Sequence, residues 1–216
     1  MRAPGPSPGR ALLSLSRTPP GRAMPAGVPG RAAGDTVGRT PTAAPGIDTT
    51  EEHAMTITAH DHHATLRHEE RDALGTALQS VLVDLTDLAL AGKQLHWNIV
   101  GPRFRSLHLQ LDDLVDSGRN LGDQVAERAR ALGWAPDGRR ETIAADSTLP
   151  GVPEGELPDH DVVDHATALL VQAISSARAA MERAAEYDPV TEDLLHQVVH
   201  ALEEHAWMFS AQAIGR

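Results

Sequence analysis

The sequence predicts an all-α protein, a bundle of four long helices with one long crossover in its middle. Three observations point there. From about Leu66 onward large apolar residues recur three and four apart, the breaks fall at glycine and proline, and the connections run short, long, short.

The first helix is read from Leu74, Leu78, Val81, Leu82, Leu85, Leu88 and Leu95, which form one long face with Asp72, Asp84 and Asp87 off it. Gly101 and Pro102 end it near residue 100, because proline has no N–H to continue the ladder and glycine favours a turn. The second helix carries Phe104, Leu107, Leu111, Leu114, Val115, Leu121, Val125 and Leu132, with Gly133 as its stop. Residues 133–158 read as a connection punctuated by Pro136, Pro150, Pro153 and Pro158, with room for one short helix at Glu141–Asp146. The third helix is expected from about Asp159 to Tyr187 through Val162, Ala166, Leu169, Leu170, Ala173, Ile174 and Met181. Asp188 then serves as N-cap with Pro189 in the first turn of a fourth helix, through Leu194, Leu195, Val198, Leu202 and Phe209. No fifth bundle helix is expected. Short joints make antiparallel hairpins of helices one and two and of three and four. A middle connection of about 26 residues can run the length of the bundle, which is the ferritin-like arrangement rather than the simple up-down one.

Residues 1–54 have a different texture, rich in Pro, Gly, Ala and Arg, with too few large apolar residues to bury a core. Three readings of this segment stand: a disordered basic tail, an arginine-rich targeting peptide, or sequence ahead of a true start at Met55. Glu51-Glu52 just before Met55 can be encoded by a purine-rich run of the kind that positions a ribosome. Residues 55–65 form a His-rich lead-in, and residues 66–216 the folded domain. His60, His62, His63 and His68 could gather an accessory metal or be simply an exposed flexible cluster.

Charge separates the two parts. Residues 1–54 hold six arginines against four acids, whereas residues 55–216 hold 13 Lys+Arg against 26 Asp+Glu, and Lys93 is the only lysine. A body this acidic repels phosphate backbones and attracts cations, so DNA binding is expected to be weak and confined to the arginines of the tail. With no cysteine, disulfides and thiolate metal sites are excluded, and a reducing compartment is compatible. No apolar run approaches the roughly 20 residues of a membrane span, so a soluble protein with no membrane partner is expected.

The chemistry lies where helices one and two meet. His96 ends the first; His108, Asp112, Asp123 and Glu127 lie on the second. A lone histidine near an apolar face usually serves packing, and exposed acids such as Asp113 and Asp116 usually face solvent; the combination is what matters. At ~100° per residue, Asp112, Asp123 and Glu127 lie about 40°, 60° and 100° round the helix from His108, within one quadrant. Asp123 is nevertheless about 22 Å along the axis from His108, so one chain cannot bring all four to one ion. A second copy packed antiparallel across a two-fold axis can, setting His96 and His108 against its Asp123 and Glu127. Imidazoles with carboxylates suit Fe(II) and leave positions open for an oxidant.

These residues resemble the Dps family of mini-ferritins (DNA-binding proteins from starved cells). The pattern stands here as His96-Trp97-Asn98-x-x-Gly101-x-x-Phe104-x-x-Leu107-His108-x-x-x-Asp112, then Asp123-x-x-Ala126-Glu127-Arg128. It continues through Asp188-Pro189-x-Thr191-x-Asp193 to His205-x-Trp207-Met208, and in all covers about residues 66–214. The resemblance implies an intersubunit ferroxidase site with His96, His108, Asp123 and Glu127 as iron ligands and Asp112 as a nearby acid supporting a second iron or its bridging water. It also implies Trp97 as a sacrificial electron donor, core packing being its alternative role. A homododecameric shell that oxidises Fe(II) with hydrogen peroxide or oxygen and stores ferric mineral would follow, in the bacterial cytoplasm or nucleoid. Asp188, Glu192 and Asp193 fall where the family places acid-lined pores, or are simply acids complementing a helix N-terminus. Trp134, Trp207 and Met208 are expected to pack. Three rivals remain: a DNA-compacting protein using the tail, a larger ferritin with its site inside one bundle, and a plain scaffold. The larger ferritin needs Glu-x-x-His, which does not occur; Asp193-Leu-Leu-His196 is nearest.

Overall fold

A computed structural model describes residues 66–213. The readings of residues 1–54 and of His60, His62 and His63 lie outside them. The order is α1 (His68–Asn98), a two-residue strand β1 (Ile99–Val100), α2 (Phe104–Ala131), α3 (Arg140–Asp146), a two-residue strand β2 (Leu157–Pro158), α4 (Asp159–Ala185), α5 (Pro189–Ser210) and one 3-10 turn (Ala211–Ala213). The four long helices and the short helix in the crossover stand where expected.

α1 packs along both α2 and α4, and α4 pairs with α5. The core lies between them, built from Leu74, Leu78, Leu85, Leu88, Leu107, Leu111, Leu114, Leu169, Leu170, Leu195, Leu202 and Phe209 among others. By length and composition α1 is apolar enough to cross a membrane, contrary to the sequence expectation. Apart from Leu90, its leucines are buried in the bundle, the ordinary position of a core helix.

Both joints are built from the residues that marked them. Ile99 leaves the helix in extended conformation, Gly101 takes φ +124°, and Phe104 N–H donates to the Gly101 carbonyl at 3.0 Å, starting α2 at once. Gly133 takes φ +82° just past α2. Asp188 caps α5 by accepting from Thr191 N–H at 3.2 Å, with Pro189 in the first turn.

The crossover is pinned in three places that sequence periodicity did not show. Ile99 and Val100 pair in parallel with Leu157 and Pro158, which holds its far end against the α1–α2 joint. Asp84 is buried rather than off the core face, accepting from Thr148 N–H at 2.9 Å and Thr148 Oγ1 at 2.8 Å. Gln79 bonds reciprocally with the Asp137 backbone, both at 2.8 Å. A buried carboxylate is costly unless its oxygens are satisfied, so Asp84 makes the crossover's path specific.

Candidate metal centre

The tight joint brings the last turn of α1 against the second turn of α2, and with them His96 and His108. The two bond reciprocally across the hairpin: His96 Nδ1 lies 2.9 Å from the His108 carbonyl, and His108 Nδ1 lies 3.0 Å from the His96 carbonyl. A carbonyl only accepts, so each Nδ1 carries the proton and each Nε2 keeps its lone pair. The rings stack with centroids 3.6 Å apart and planes 22° from parallel. Phe104 lies against the outer ring at 5.0 Å, and His96 is 6% exposed. Both rings are therefore fixed in tautomer and orientation before any ligand arrives.

Asp112, one turn after His108, joins them. Its Oδ1 is 3.3 Å from His96 Nδ1, and one donor atom from each of His96, His108 and Asp112 lies within 4.8 Å of the others. Lys93, one turn before His96, is hydrogen-bonded to the same carboxylate. That bond holds the Asp112 carboxyl below its ordinary range, assisted by the charge of Lys93 and opposed by desolvation. Sequence reading missed this role for the one lysine; its i, i+3 spacing from His96 was the available signal.

Asp123 and Glu127 do not join the group. Both are exposed further along α2, Asp123 in a groove with Leu82, Thr86, Leu90 and Gly118, and Glu127 on the side that faces the start of α5. Among the described residues the metal-ligating group has three members, all from the His-bearing end. Trp97 is 70% exposed, so core packing is not its role within this chain. Phe104 at 45% and Trp207 at 61% also face outward, against the expectation that they pack, and Leu90 is 60% exposed. Trp134 does pack, over Gly75.

The acids at the start of α5 divide. Asp188 is tied up by Arg128 and Thr191; burial pushes its carboxyl up, but those hydrogen bonds outweigh it and leave it below the ordinary range. Glu192 lies 3.6 Å from His196, Asp193 is exposed, and His68 pairs with Asp72 at 3.2 Å.

Residues 75–213 match the model of the ferritin-like domain family. The chain is 36% identical over 138 residues to the DNA protection during starvation protein of Mycolicibacterium smegmatis, covering 62% of this chain and 73% of that one. It is 35% identical over 138 residues to the fine tangled pili major subunit of Haemophilus ducreyi, covering 64% and 73%. The crystal structure of Dps92 from Deinococcus radiodurans superposes with a TM-score of 0.65 at 34% identity, over 66% of this chain and 87% of that one.

Proposed function

Since this chain belongs to the Dps family of ferritin-like proteins, we propose that it stores and detoxifies iron, oxidising Fe(II) at a site completed between two copies. One observation carries the reading: two histidines locked by reciprocal bonds to each other's carbonyls, each with Nε2 left as a donor. A packing pair would not need both rings held in the same tautomer beside a carboxylate. Iron is the substrate here. His96 and His108 bind it through nitrogen, while Asp123 and Glu127 of a second copy supply anionic oxygens.

The exposed side of α1 and α2 supports completion by a second copy. Leu90 lies in the same groove as Asp123, an apolar surface that water covers poorly. Asp112 is shared with Lys93, so it is the weaker donor and supports a second iron or its bridging water. With hydrogen peroxide as oxidant, each of two Fe(II) gives one electron. The O–O bond then breaks and two protons complete two waters, so no hydroxyl radical is released. Oxygen is the other oxidant of the same chemistry. Trp97, exposed beside His96, stands ready to give up an electron where only one iron is present. A hollow shell of twelve copies would keep the ferric product inside, in a bacterial cytoplasm or nucleoid.

The test compares the purified assembly with the Asp123→Asn/Glu127→Gln double variant, following Fe(II) oxidation on addition of peroxide under anaerobic conditions. Oxidation should fall by on the order of a hundredfold while helicity and particle size stay unchanged. Full activity in the double variant, or in a stable monomer separated by light scattering, would show that the acids of a second copy are not ligands.

A further inference from the structure

Outside the His96–His108–Asp112 group, α5 presents two histidines to solvent. Its buried face is Leu195, Val198, Val199, Leu202 and Phe209, so His196 and His200 contribute nothing to the core. Both are exposed, and they stand four residues apart. At that spacing two helix side chains are neighbours, with Cβ atoms about 5–6 Å apart. Metal–nitrogen bonds of about 2.0–2.1 Å place two tetrahedral ligand atoms about 3.3 Å from each other, a gap two imidazoles on adjacent turns can close. The neighbourhood favours a cation. α5 carries Glu192, Asp193, Glu203 and Glu204 and no Lys or Arg. Arg178 of α4 engages Glu203. Glu192, one turn before His196, already holds an oxygen 3.6 Å from His196 Nε2. On the other side, His200 opens with Glu203, Glu204 and Trp207 onto a surface pocket of about 360 Å³.

We propose that His196 and His200 chelate one divalent transition-metal ion of the zinc, copper or nickel class, with Glu192 as the anionic partner of His196. The site shares no residue with the His96–His108 group and needs no iron chemistry. Imidazole suits these ions, and a carboxylate beside a ligating histidine either fixes its ring or takes a position on the metal. Solvent fills the remaining positions, so the ion is exchangeable.

The experiment is zinc equilibrium dialysis of the assembled full chain, its His196→Gln and His200→Gln variants, and the combined Glu192→His/His200→Gln variant. Two ligands on one scaffold gain by effective concentration, so either single change should weaken one equivalent per chain by on the order of a hundredfold. The combined variant should restore it, because it rebuilds a pair four residues apart. The same loss should appear in the Asp123→Asn/Glu127→Gln background, which separates this site from the iron-oxidising one. Unchanged zinc binding in both single variants overturns the proposal. So does a loss divided equally between the two, with no rescue, since that is the behaviour of independent histidines.

Discussion

Asp159 shows how much of this molecule depends on a single side chain. It begins α4, yet it accepts from Arg103 N–H at 3.0 Å and Arg103 Nε at 3.2 Å, and so holds the α1–α2 joint that sets His96 against His108. Arg103 in turn donates to the Gln212 carbonyl at 3.1 Å, tying in the chain beyond α5. A Cβ on Gly101 would come within 3.0 Å of the Asp159 carboxyl, so glycine is required there by both φ and space. The Arg103 hydrogen bonds hold the Asp159 carboxyl below its ordinary value of 3.8. A carboxylate depressed by folding adds stability in full above that value and loses it as pH falls through the lower folded value. The thermal midpoint of Asp159→Asn should therefore lie below that of the parent by a constant margin from neutral pH to about 5. The margin should shrink below the ordinary carboxylate value of 3.8. A gap that stays constant into strong acid would mean the ion pair is not its cause. Gly101 and Pro102 announced a turn in the sequence, but nothing in it pointed to a partner 56 residues away.

At the scale of elements, α1 and the segment after α2 meet through a glycine the helical pattern did not mark as special. Gly133 turns the chain, Trp134 N–H closes onto the Ala129 carbonyl at 2.9 Å, and the indole comes down on Gly75. A Cβ at Gly75 would stand 2.1 Å from that ring. Helix propensity alone favours Gly75→Ala by about 1 kcal/mol. Displacing a large ring from a packed position costs about 1–3 kcal/mol. Packing should win, so Gly75→Ala is expected to be less stable in urea unfolding than the parent. Gly75→Ala combined with Trp134→Leu should recover part of the loss, by making space. Stabilisation by the single change would show that the indole moves aside freely. Helix periodicity located α1 correctly because apolar spacing is local; it cannot mark Gly75, since only the returning chain gives that position its neighbour.

For the whole molecule, charge is the property that decides its dealings with polyanions. Between Met55 and Arg216 acids outnumber Lys+Arg by 26 to 13. Non-specific affinity for DNA comes mostly from basic contacts to phosphate, so a body this acidic repels it. The form beginning at Met55 should give no gel shift with duplex DNA at moderate salt. The 216-residue form adds six arginines against four acids and should bind weakly, through many tails at once, at low salt only. Metal ions must be removed first, since a divalent cation bridges two polyanions. Tight binding by the shorter form at moderate salt would show that the acidic body does not exclude DNA.

What the sequence determined by itself is whatever depends on near neighbours along the chain. The four helices follow from apolar spacing, their ends from Gly101-Pro102, Gly133 and Asp188-Pro189, and the candidate ligands from residue type at fixed helical offsets. Tertiary structure decided what depends on distant pairs. It fixed the protonated nitrogen of His96 and His108 through each other's carbonyls, and it set Lys93 on Asp112. It also buried Asp84 under Thr148 and turned Trp97 and Trp207 outward. The physical reason is the same in each case. A helix presents every side chain on some face, and only the element packed against that face determines whether a polar group is satisfied, a ring is covered, or a carboxylate is left to meet a metal.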